Sequence, residues 1–555
     1  MFEKLLLYSL GFAHLPALHA EATVPPTLEL HWGVYEGQPM ADDPDIYLFE
    51  NVRFGADPPR FGAPDFPTST STAIQPVSNG RNCIQIDPNG LRNAPGGQSP
   101  VDTPDDQVTP QGEDCLFLDL YVPKTVIDNP PRKPLPVVVW IYGGAFAFGS
   151  KNQIGPLYTG QSIIAASNYQ TIFVAGNYRL GAYGWLSGDF MQKNAQPNAG
   201  LYDQALLFEW VQKYINKVSG DASQVSAWGE SAGGGSILHH LIREDGAVDP
   251  TFKTFAVQSP AFEWAWDNSP MGKLDQVYQN FSNLAGCGFA FNLTCLQEST
   301  NLTAANQALF DTVNQTGKYW KSSIQSTIIS HVLNETASFT PPFVTSADTF
   351  TEFLDVFLPG AELVSQRQKI AAQYPCTEAP YDGDYRLCIA TVIRDASFTC
   401  NTRDLYSAYP SISHMMRYGF PTASLARRAS DLVPLFSNYY SEAKAILEKN
   451  NAYQTYFASF ALSGGNPNTL MMPEVLFWEP PTWTVADGSG DELTNVLTVG
   501  PPELVYSAFT LDVPDDQNTK SACGFWTEIA KEIIEAHEAT YKVGDRARRG
   551  GSDEL

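Results

Sequence analysis

One short motif in the sequence could activate a serine hydroxyl. Residues 225–228 form an apolar, β-branched run, and they lead directly into Gly229-Glu230-Ser231-Ala232-Gly233. Small residues two positions before and two positions after a serine permit a very tight strand-to-helix turn, in which a Cβ atom would clash. Such a turn lifts the hydroxyl of Ser231 to the N-terminus of a helix. The N–H of Ala232 then faces any oxyanion that forms there.

A second glycine-containing loop could complete the same site. Tyr142-Gly143-Gly144-Ala145-Phe146 follows the apolar run at residues 136–141. A loop in this place can aim backbone N–H groups at the oxyanion above the serine. On its own the loop says little about function. Together with the turn at Ser231, it predicts an acyl-transfer site that consists of a serine nucleophile and the backbone donors of an oxyanion hole. We call this arrangement the acyl-transfer cradle.

The elements that must hold these two loops are short buried strands and one long helix. Strands are predicted at residues 136–142, 171–175, 225–228 and 255–258, because each run is short, apolar and β-branched. Between the second and third lies a helix with Asp203 in its first turn. Its apolar residues recur every three to four positions: Leu206, Leu207, Trp210, Val211, Tyr214 and Ile215. Strand, helix and strand at this spacing predict a parallel sheet and an α/β fold.

Composition excludes several classes of partner. The 555 residues include 60 acidic and 34 basic side chains, which give a formal net charge of -26. A surface of this charge repels nucleic acid and anionic membranes. No internal repeat is visible, and no cysteine spacing resembles a zinc site. We therefore expect no metal, no cofactor and no nucleic-acid partner.

Several features indicate the secretory pathway. Residues 1–20 have the layout of a cleaved signal peptide, with a buried helix as the alternative, and no other stretch is long and apolar enough to span a membrane. The C-terminal residues 552–555 resemble an ER-retrieval tetrapeptide or an ordinary acidic tail. The eight cysteines predict disulfides, although 105 connectivities are possible. Predicted glycosylation sequons begin at Asn280, Asn292, Asn301, Asn314 and Asn334.

Beyond these motifs, the chain resembles the type-B carboxylesterases and lipases, which include fungal lipases and cholinesterases. The resemblance is carried by six further segments, at residues 113–119, 177–181, 198–204, 220–222, 464–468 and 523–526. It implies an α/β-hydrolase fold with a mostly parallel sheet, helices on both faces and large insertions. It also implies that residues 21–555 form one domain.

The resemblance assigns roles to individual residues. Ser231 matches the nucleophile of a Ser-Glu-His triad, and Glu335 matches the acid. The oxyanion donors correspond to Gly144, Ala145 and Ala232. The implied disulfides join Cys83 to Cys115, Cys287 to Cys295 and Cys400 to Cys523, which leaves Cys376 with Cys388 as a local bridge.

The histidine position departs from the family pattern. Where relatives have histidine, two small residues and aspartate, this sequence has Arg428-Ala429-Ser430-Asp431. A guanidinium has no lone pair and cannot take a proton from Ser231. Arg428 could instead form an ion pair with Glu335. Among the other histidines, His331 and His414 are the candidates for a displaced base.

Three functions remain open at this point. The first is a non-catalytic or severely impaired relative that binds a small apolar or aromatic molecule. By resemblance, it would serve as an auxiliary or dirigent-like factor beside an enzyme of a fungal secondary-metabolite pathway. The second is an active secreted ester hydrolase or lipase with a displaced histidine. The third is a surface adhesion protein, although such relatives usually carry a membrane anchor.

Overall fold

We describe the protein from a computed structural model. The residues described are 24–86, 110–131, 133–152, 158–248, 250–262, 268–310, 324–336, 340–420, 422, 424, 426–436, 452–470, 480–500 and 509–550. The predicted signal peptide at residues 1–20, the sequon at Asn314 and the C-terminal residues 552–555 lie outside these ranges.

The centre of the molecule is an 11-stranded mixed sheet. The strands of the described residues are β1 (Thr27–Leu30), β2 (Gly33–Glu36), β3 (Gln38–Pro39), β4 (Ile46–Arg53), β5 (Asn82–Cys83), β6 (Gln111–Gly112), β7 (Phe117–Pro123), β8 (Leu135–Ile141), β9 (Ile172–Gly176), β10 (Gly220–Glu230), β11 (Thr254–Gln258), β12 (Ser326–Val332), β13 (Ser413–Tyr418), β14 (Leu497–Val499) and β15 (Phe509–Thr510). The sheet order is β15-β14-β13-β12-β11-β10-β8-β9-β7-β4-β3.

Seven neighbouring strands of this sheet run parallel, from β9 through β8 and β10 to β14. Antiparallel strands complete both edges. The four predicted strands are confirmed as β8, β9, β10 and β11. All residues of β9, β11 and β12 are buried, as expected for strands covered on both faces. Consecutive parallel strands bring their carboxyl ends, and the loops that follow them, to one edge of the sheet.

Helices surround the sheet. Their bounds are α1 (Lys124–Asp128), α2 (Gln161–Ala166), α3 (Gly181–Trp185), α4 (Asp189–Asn194), α5 (Ala199–Tyr214), α6 (Ala232–Leu241), α7 (Lys273–Leu284), α8 (Leu293–Glu298), α9 (Leu302–Phe310), α10 (Ala347–Phe357), α11 (Val364–Gln373), α12 (Tyr385–Arg394), α13 (Cys400–Ala408), α14 (Leu432–Phe436), α15 (Ala452–Ser463) and α16 (Lys520–Gly550). A π-helical turn, Asp395–Thr399, connects α12 to α13. None of the helices, within the described residues, combines the length and apolar composition needed to cross a bilayer.

The helix predicted between β9 and β10 is confirmed as α5, but one detail of its prediction is wrong. The helix begins at Ala199, so Asp203 lies beyond its first turn. Asp203 is fully buried and accepts hydrogen bonds from Nε and Nη2 of Arg179 at 2.8 and 2.7 Å. Its carboxylate therefore pairs with a buried guanidinium, and it does not serve the helix N-terminus.

The structure contains four disulfides, in the pairs implied by the family resemblance. They join Cys83 to Cys115, Cys287 to Cys295, Cys376 to Cys388 and Cys400 to Cys523. The last two lie in one apolar cluster with Trp526 of α16. The C-terminal helix is therefore covalently attached beside the π-helical turn.

The assignment of residues 21–555 to a single domain stays a prediction.

The disulfides should differ in their contribution to stability. Cys400 and Cys523 are 123 residues apart, whereas Cys287 and Cys295 are separated by 8. Loop-closure entropy predicts a loss of about 5 kcal/mol when the first pair is replaced by serine, against about 2.5 kcal/mol for the second. Urea unfolding of the two double variants measures these losses. Equal losses would contradict the entropic assignment.

Candidate active site

The loop between β10 and α6 forms a strained turn at Ser231. The backbone of Ser231 has φ 56° and ψ -124°, in the left-handed region of φ that L-residues rarely adopt. A Cβ on Gly233 would lie 2.0 Å from the carbonyl oxygen of Ile141, and one on Gly229 would lie 2.6 Å from the carbonyl carbon of Gly233. Only glycine fits at these two positions. The predicted tight turn at Ser231 is therefore present.

The loop that follows β8 lies directly against this turn. A Cβ on Gly143 would come within 2.8 Å of the Cβ of Ser231, which shows how closely the two segments approach. Gly144 and Ala145 both have positive φ, at 116° and 52°. Their N–H groups donate to no acceptor among the described residues. The N–H of Ala232, in the first turn of α6, also has no partner within its own helix. All three groups can receive an anionic oxygen.

Glu335 follows β12 and is buried. Its Oε1 accepts hydrogen bonds from the hydroxyl of Ser259 at 2.7 Å and from the N–H of Val332 at 2.9 Å. The side chain is 0% exposed. The remaining oxygen, Oε2, faces the segment that follows β13.

Arg428 lies in that segment, and its guanidinium fills the space between the turn and Glu335. Nε donates to Oγ of Ser231 at 3.2 Å, and Nη1 donates to Oε2 of Glu335 at 3.1 Å. Nη2 donates to the carbonyl of Ser259. The guanidinium carbon lies 3.9 Å above the ring centroid of Phe398, within the range of a cation–π contact. The ion pair expected between Arg428 and Glu335 is thus present.

A short pairing of two segments connects Glu335 to Arg428. Asn334 and Arg427 form an isolated parallel β-bridge, and the N–H of Asn334 donates to the carbonyl of Ala426 at 3.0 Å. The side-chain amide of Asn334 donates to the carbonyl of Ser424 at 2.9 Å. The residue before the acid is therefore bonded to the residues before the cation. This arrangement fixes the separation of the two side chains.

Two further carboxyl groups lie beside Arg428. Oε1 of Glu230 is 3.5 Å from Nε of Arg428 and has no hydrogen-bond partner, so the contact is electrostatic only. Burial raises the pKa of Glu230 to about 8, although the nearby guanidinium opposes this shift. Burial also raises the pKa of Asp431 to about 6, and Oδ2 of Asp431 accepts from Nε2 of Gln258 at 2.7 Å. One cation therefore lies among three buried acids.

The histidines occupy other places. His331 is on β12, and its Nε2 lies 2.7 Å from Oδ2 of Asp515, both side chains being fully buried. His414 is on β13 beside Trp483, and burial lowers its pKa to about 4. His240 contacts Gln204. Of the five histidines whose side chains the structure describes, none hydrogen-bonds to Ser231, whose hydroxyl oxygen accepts from Arg428.

Comparison with known proteins identifies the family. The sequence model of the carboxylesterase family matches residues 24–366. The chain belongs to the carboxylesterase family. It is 34% identical over 449 residues to a secreted lipase of Arthroderma benhamiae, a match that covers 76% of this chain and 83% of the lipase. It is 31% identical over 413 residues to the carboxylesterase patB of Penicillium expansum, covering 67% of this chain and 70% of that protein.

The fold agrees with solved esterase structures. The EstA structure of Aspergillus niger superposes with a TM-score of 0.71 at 23% identity, and the match covers 92% of this chain and 99% of EstA. A thermophilic p-nitrobenzyl esterase gives a TM-score of 0.65 at 20% identity, covering 92% and 100% of the two chains. Both have the α/β-hydrolase fold that the resemblance implies for this member of the family.

Sequence reasoning did not find three residues that contact Arg428. Phe398 lies on the π-helical turn, Ser259 follows β11, and Glu230 precedes the serine. The sequence position of Glu230 was a usable signal, because a carboxyl adjacent to Ser231 must lie near the site. Phe398 and Ser259 gave no local signal.

No group of three or more potential metal ligands occurs among the described side chains.

The sequons differ in exposure. Asn280, Asn292 and Asn301 have exposed side chains. Asn334 is partly buried, and its side-chain amide donates a hydrogen bond to the carbonyl of Ser424. Thr336 of the same sequon is buried. A glycan at Asn334 would compete with the contact that places Arg428. Glycosylation at the other described sequons stays a prediction.

The raised pKa of Glu230 predicts a pH-dependent stability. An acid whose folded pKa is about 8, against an ordinary value of 4.5, contributes stability below about pH 4.5 that is lost as the pH rises through 8. Glu230→Gln keeps the neutral form at every pH. The difference in the free energy of unfolding, Glu230→Gln minus wild type, should therefore be more positive at pH 8.5 than at pH 5. The variant thus becomes more stable relative to wild type as the pH rises, and urea unfolding measures this difference.

The matched control for this experiment is Glu352→Gln, which removes an exposed carboxylate of α10. Its difference from wild type should be the same at both pH values. A Glu230→Gln variant that also shows equal differences at pH 5 and pH 8.5 would contradict the assignment of a neutral Glu230.

Removing the guanidinium should destabilise the fold. Arg428→Met leaves the buried Glu335 without its cation, a change that costs about 3–5 kcal/mol for a buried pair. Adding Glu335→Gln should recover part of this loss, and chemical denaturation at pH 7 measures both. Lys193→Met, which breaks an exposed ion pair with Asp189, should cost at most about 1 kcal/mol. No recovery in the double variant would argue against the ion pair.

Proposed function

We propose that this carboxylesterase-family protein lacks normal esterase activity and binds a small apolar or aromatic molecule. The observation that supports the proposal is the hydrogen bond from Nε of Arg428 to Oγ of Ser231 at 3.2 Å. In this proposal Ser231 and Glu335 occupy the nucleophile and acid positions of the family triad. Arg428 occupies the position of the histidine, and Gly144, Ala145 and Ala232 supply the oxyanion donors.

The consequence for catalysis follows from proton transfer. A serine hydroxyl attacks an ester only when a neutral base removes its proton, and a guanidinium has no lone pair with which to accept it. Loss of the histidine in a triad enzyme reduces kcat by about a millionfold. The oxyanion donors and substrate binding account for the small rate that remains. Arg428 therefore abolishes the step that the rest of the cradle serves.

Glu335 also changes its role in this proposal. In a triad, the acid orients a histidine and stabilises the imidazolium that forms during catalysis. Here its Oε2 accepts from a permanent cation at 3.1 Å. The charge that a triad develops only during reaction is thus present in the resting protein. This explains why the acid is retained although the histidine is replaced: a buried guanidinium needs a buried anion.

Aromatic side chains beside the cradle support binding of an apolar molecule. The ring of Phe146 lies 4.2 Å from that of Trp185 and approaches Gly235 of α6. Phe146 and Trp185 are both partly exposed. An aromatic or apolar ligand body could rest on these rings while a polar group reaches Ser231.

The cellular role is proposed by resemblance. The protein would present its ligand to an enzyme of a fungal secondary-metabolite pathway, as an auxiliary or dirigent-like factor. Four disulfides and similarity to a secreted lipase fit a secreted protein. We propose secretion as its fate, with retention in the ER through residues 552–555 as the alternative.

Hydrolysis of short-chain p-nitrophenyl esters tests the proposal. The wild type should release p-nitrophenol at no more than about 10⁻⁵ of the rate of an intact triad enzyme. Arg428→His should show a measurable gain in turnover, because an imidazole can accept the serine proton. The double variant Ser231→Ala with Arg428→His is the control and should lose that gain. Rapid wild-type turnover that disappears in Ser231→Ala would support the active hydrolase with a displaced base and refute our proposal.

A further inference from the structure

We infer that the site at Ser231 recognises a carboxylate, so that its ligand is a carboxylic acid with an apolar body and not the corresponding ester. The inference rests on the proposed function, because an active esterase would turn over the ester. It goes further by naming the polar group of the ligand. Its basis is the direction of the hydrogen bond between Ser231 and Arg428.

That direction is fixed by the chemistry of the two groups. All polar atoms of a guanidinium are donors, so Oγ of Ser231 must be the acceptor in the contact at 3.2 Å. In a triad the serine proton points to the histidine nitrogen. Here it cannot point to Arg428, and the hydroxyl has no other partner among the described residues. Because Ser231 is partly exposed, its hydroxyl can donate this proton to a bound molecule.

The hydroxyl joins a group of donors. The N–H groups of Gly144 and Ala145 are unused by the described residues, and that of Ala232 begins the ten-residue helix α6. Together with the Ser231 hydroxyl, they make four donors around one partly exposed site. A helix N-terminus adds a partial positive charge in the same place. A group that offers only acceptor atoms, with a negative charge, is the natural complement.

Two of the three neighbouring carboxyls add little negative charge at this site. The charge of Glu335 is paired with Arg428 at 3.1 Å. Burial keeps Glu230 largely protonated at neutral pH, because its pKa is raised to about 8. Asp431 is fully buried and bonded to Gln258. Ser231, Gly144 and Ala145 are thus partly or fully exposed, whereas the three acids are buried.

A carboxylate uses these donors better than an ester does. It offers two charged oxygens, whereas an ester offers one neutral carbonyl oxygen in the same position. Hydrogen bonds to a charged acceptor are about twice as strong as neutral ones. The difference should be expressed as a preference of at least about tenfold in Kd for the acid over its methyl ester.

The test is calorimetric titration of the full-length protein at pH 7 with 2-naphthoate and with methyl 2-naphthoate. The two probes share one aromatic body and differ in the polar group. Wild type should bind the acid at least about tenfold more tightly. Ser231→Ala removes one donor and should weaken acid binding by about three- to tenfold, with little change for the ester. Arg428→His should lose the preference, because the serine proton then turns to the imidazole.

Controls separate this inference from the proposed function. Lys193→Gln removes an exposed positive charge and should keep the full preference for the acid, which excludes a general charge effect. Chromatography of the ester samples measures any release of 2-naphthoate. Ser231-dependent release refutes the proposed function. Equal affinity for the two probes, tighter binding of the ester, or binding of neither, without hydrolysis, overturns the carboxylate inference alone.

Discussion

The guanidinium of Arg428 is the group on which the site depends. A cation that is 7% exposed in its side chain must be matched by buried acceptors, since an unpaired buried charge is very costly. The carboxylate of Glu335, the carbonyl of Ser259 and the hydroxyl of Ser231 provide them. In the function proposed above, Glu335 and Ser231 are the groups that a triad would place around a histidine. The groups of an acyl-transfer site then bind a side chain of the protein itself.

The sheet makes this arrangement possible. Ser231, Glu335 and Arg428 each follow the carboxyl end of a strand, namely β10, β12 and β13, which run parallel in one sheet. The loops after these strands meet at one edge, although nearly 200 residues separate the first from the last. The bridge between Asn334 and Arg427 then sets the final distance between acid and cation.

Much of this could be predicted from the sequence. The turn at Ser231 and the strands near it have local signals, since the glycine spacing and short apolar runs reflect steric limits within a few residues. Asp203 shows where such reasoning ends: the sequence pattern placed it in the first turn of a helix, but the helix begins earlier, at Ala199, and a distant Arg179 determines the environment of the carboxylate. Phe398 and Ser259 were not found for the same reason. Their contacts with Arg428 arise only when distant segments pack together.

Phe398 also bears on how readily residue 428 could change. Its ring, held on a π-helical turn between two helices, packs against the flat face of the guanidinium. An imidazole at residue 428 is smaller than a guanidinium, so a histidine there would leave the ring facing a gap, and gaps in packed regions are costly. If Arg428 replaced a histidine, as we propose, its neighbours have since adapted to the larger side chain. Restoring the base alone would then return only part of the activity, and full hydrolysis would also require changes in the surrounding residues, so that the replacement is epistatically entrenched.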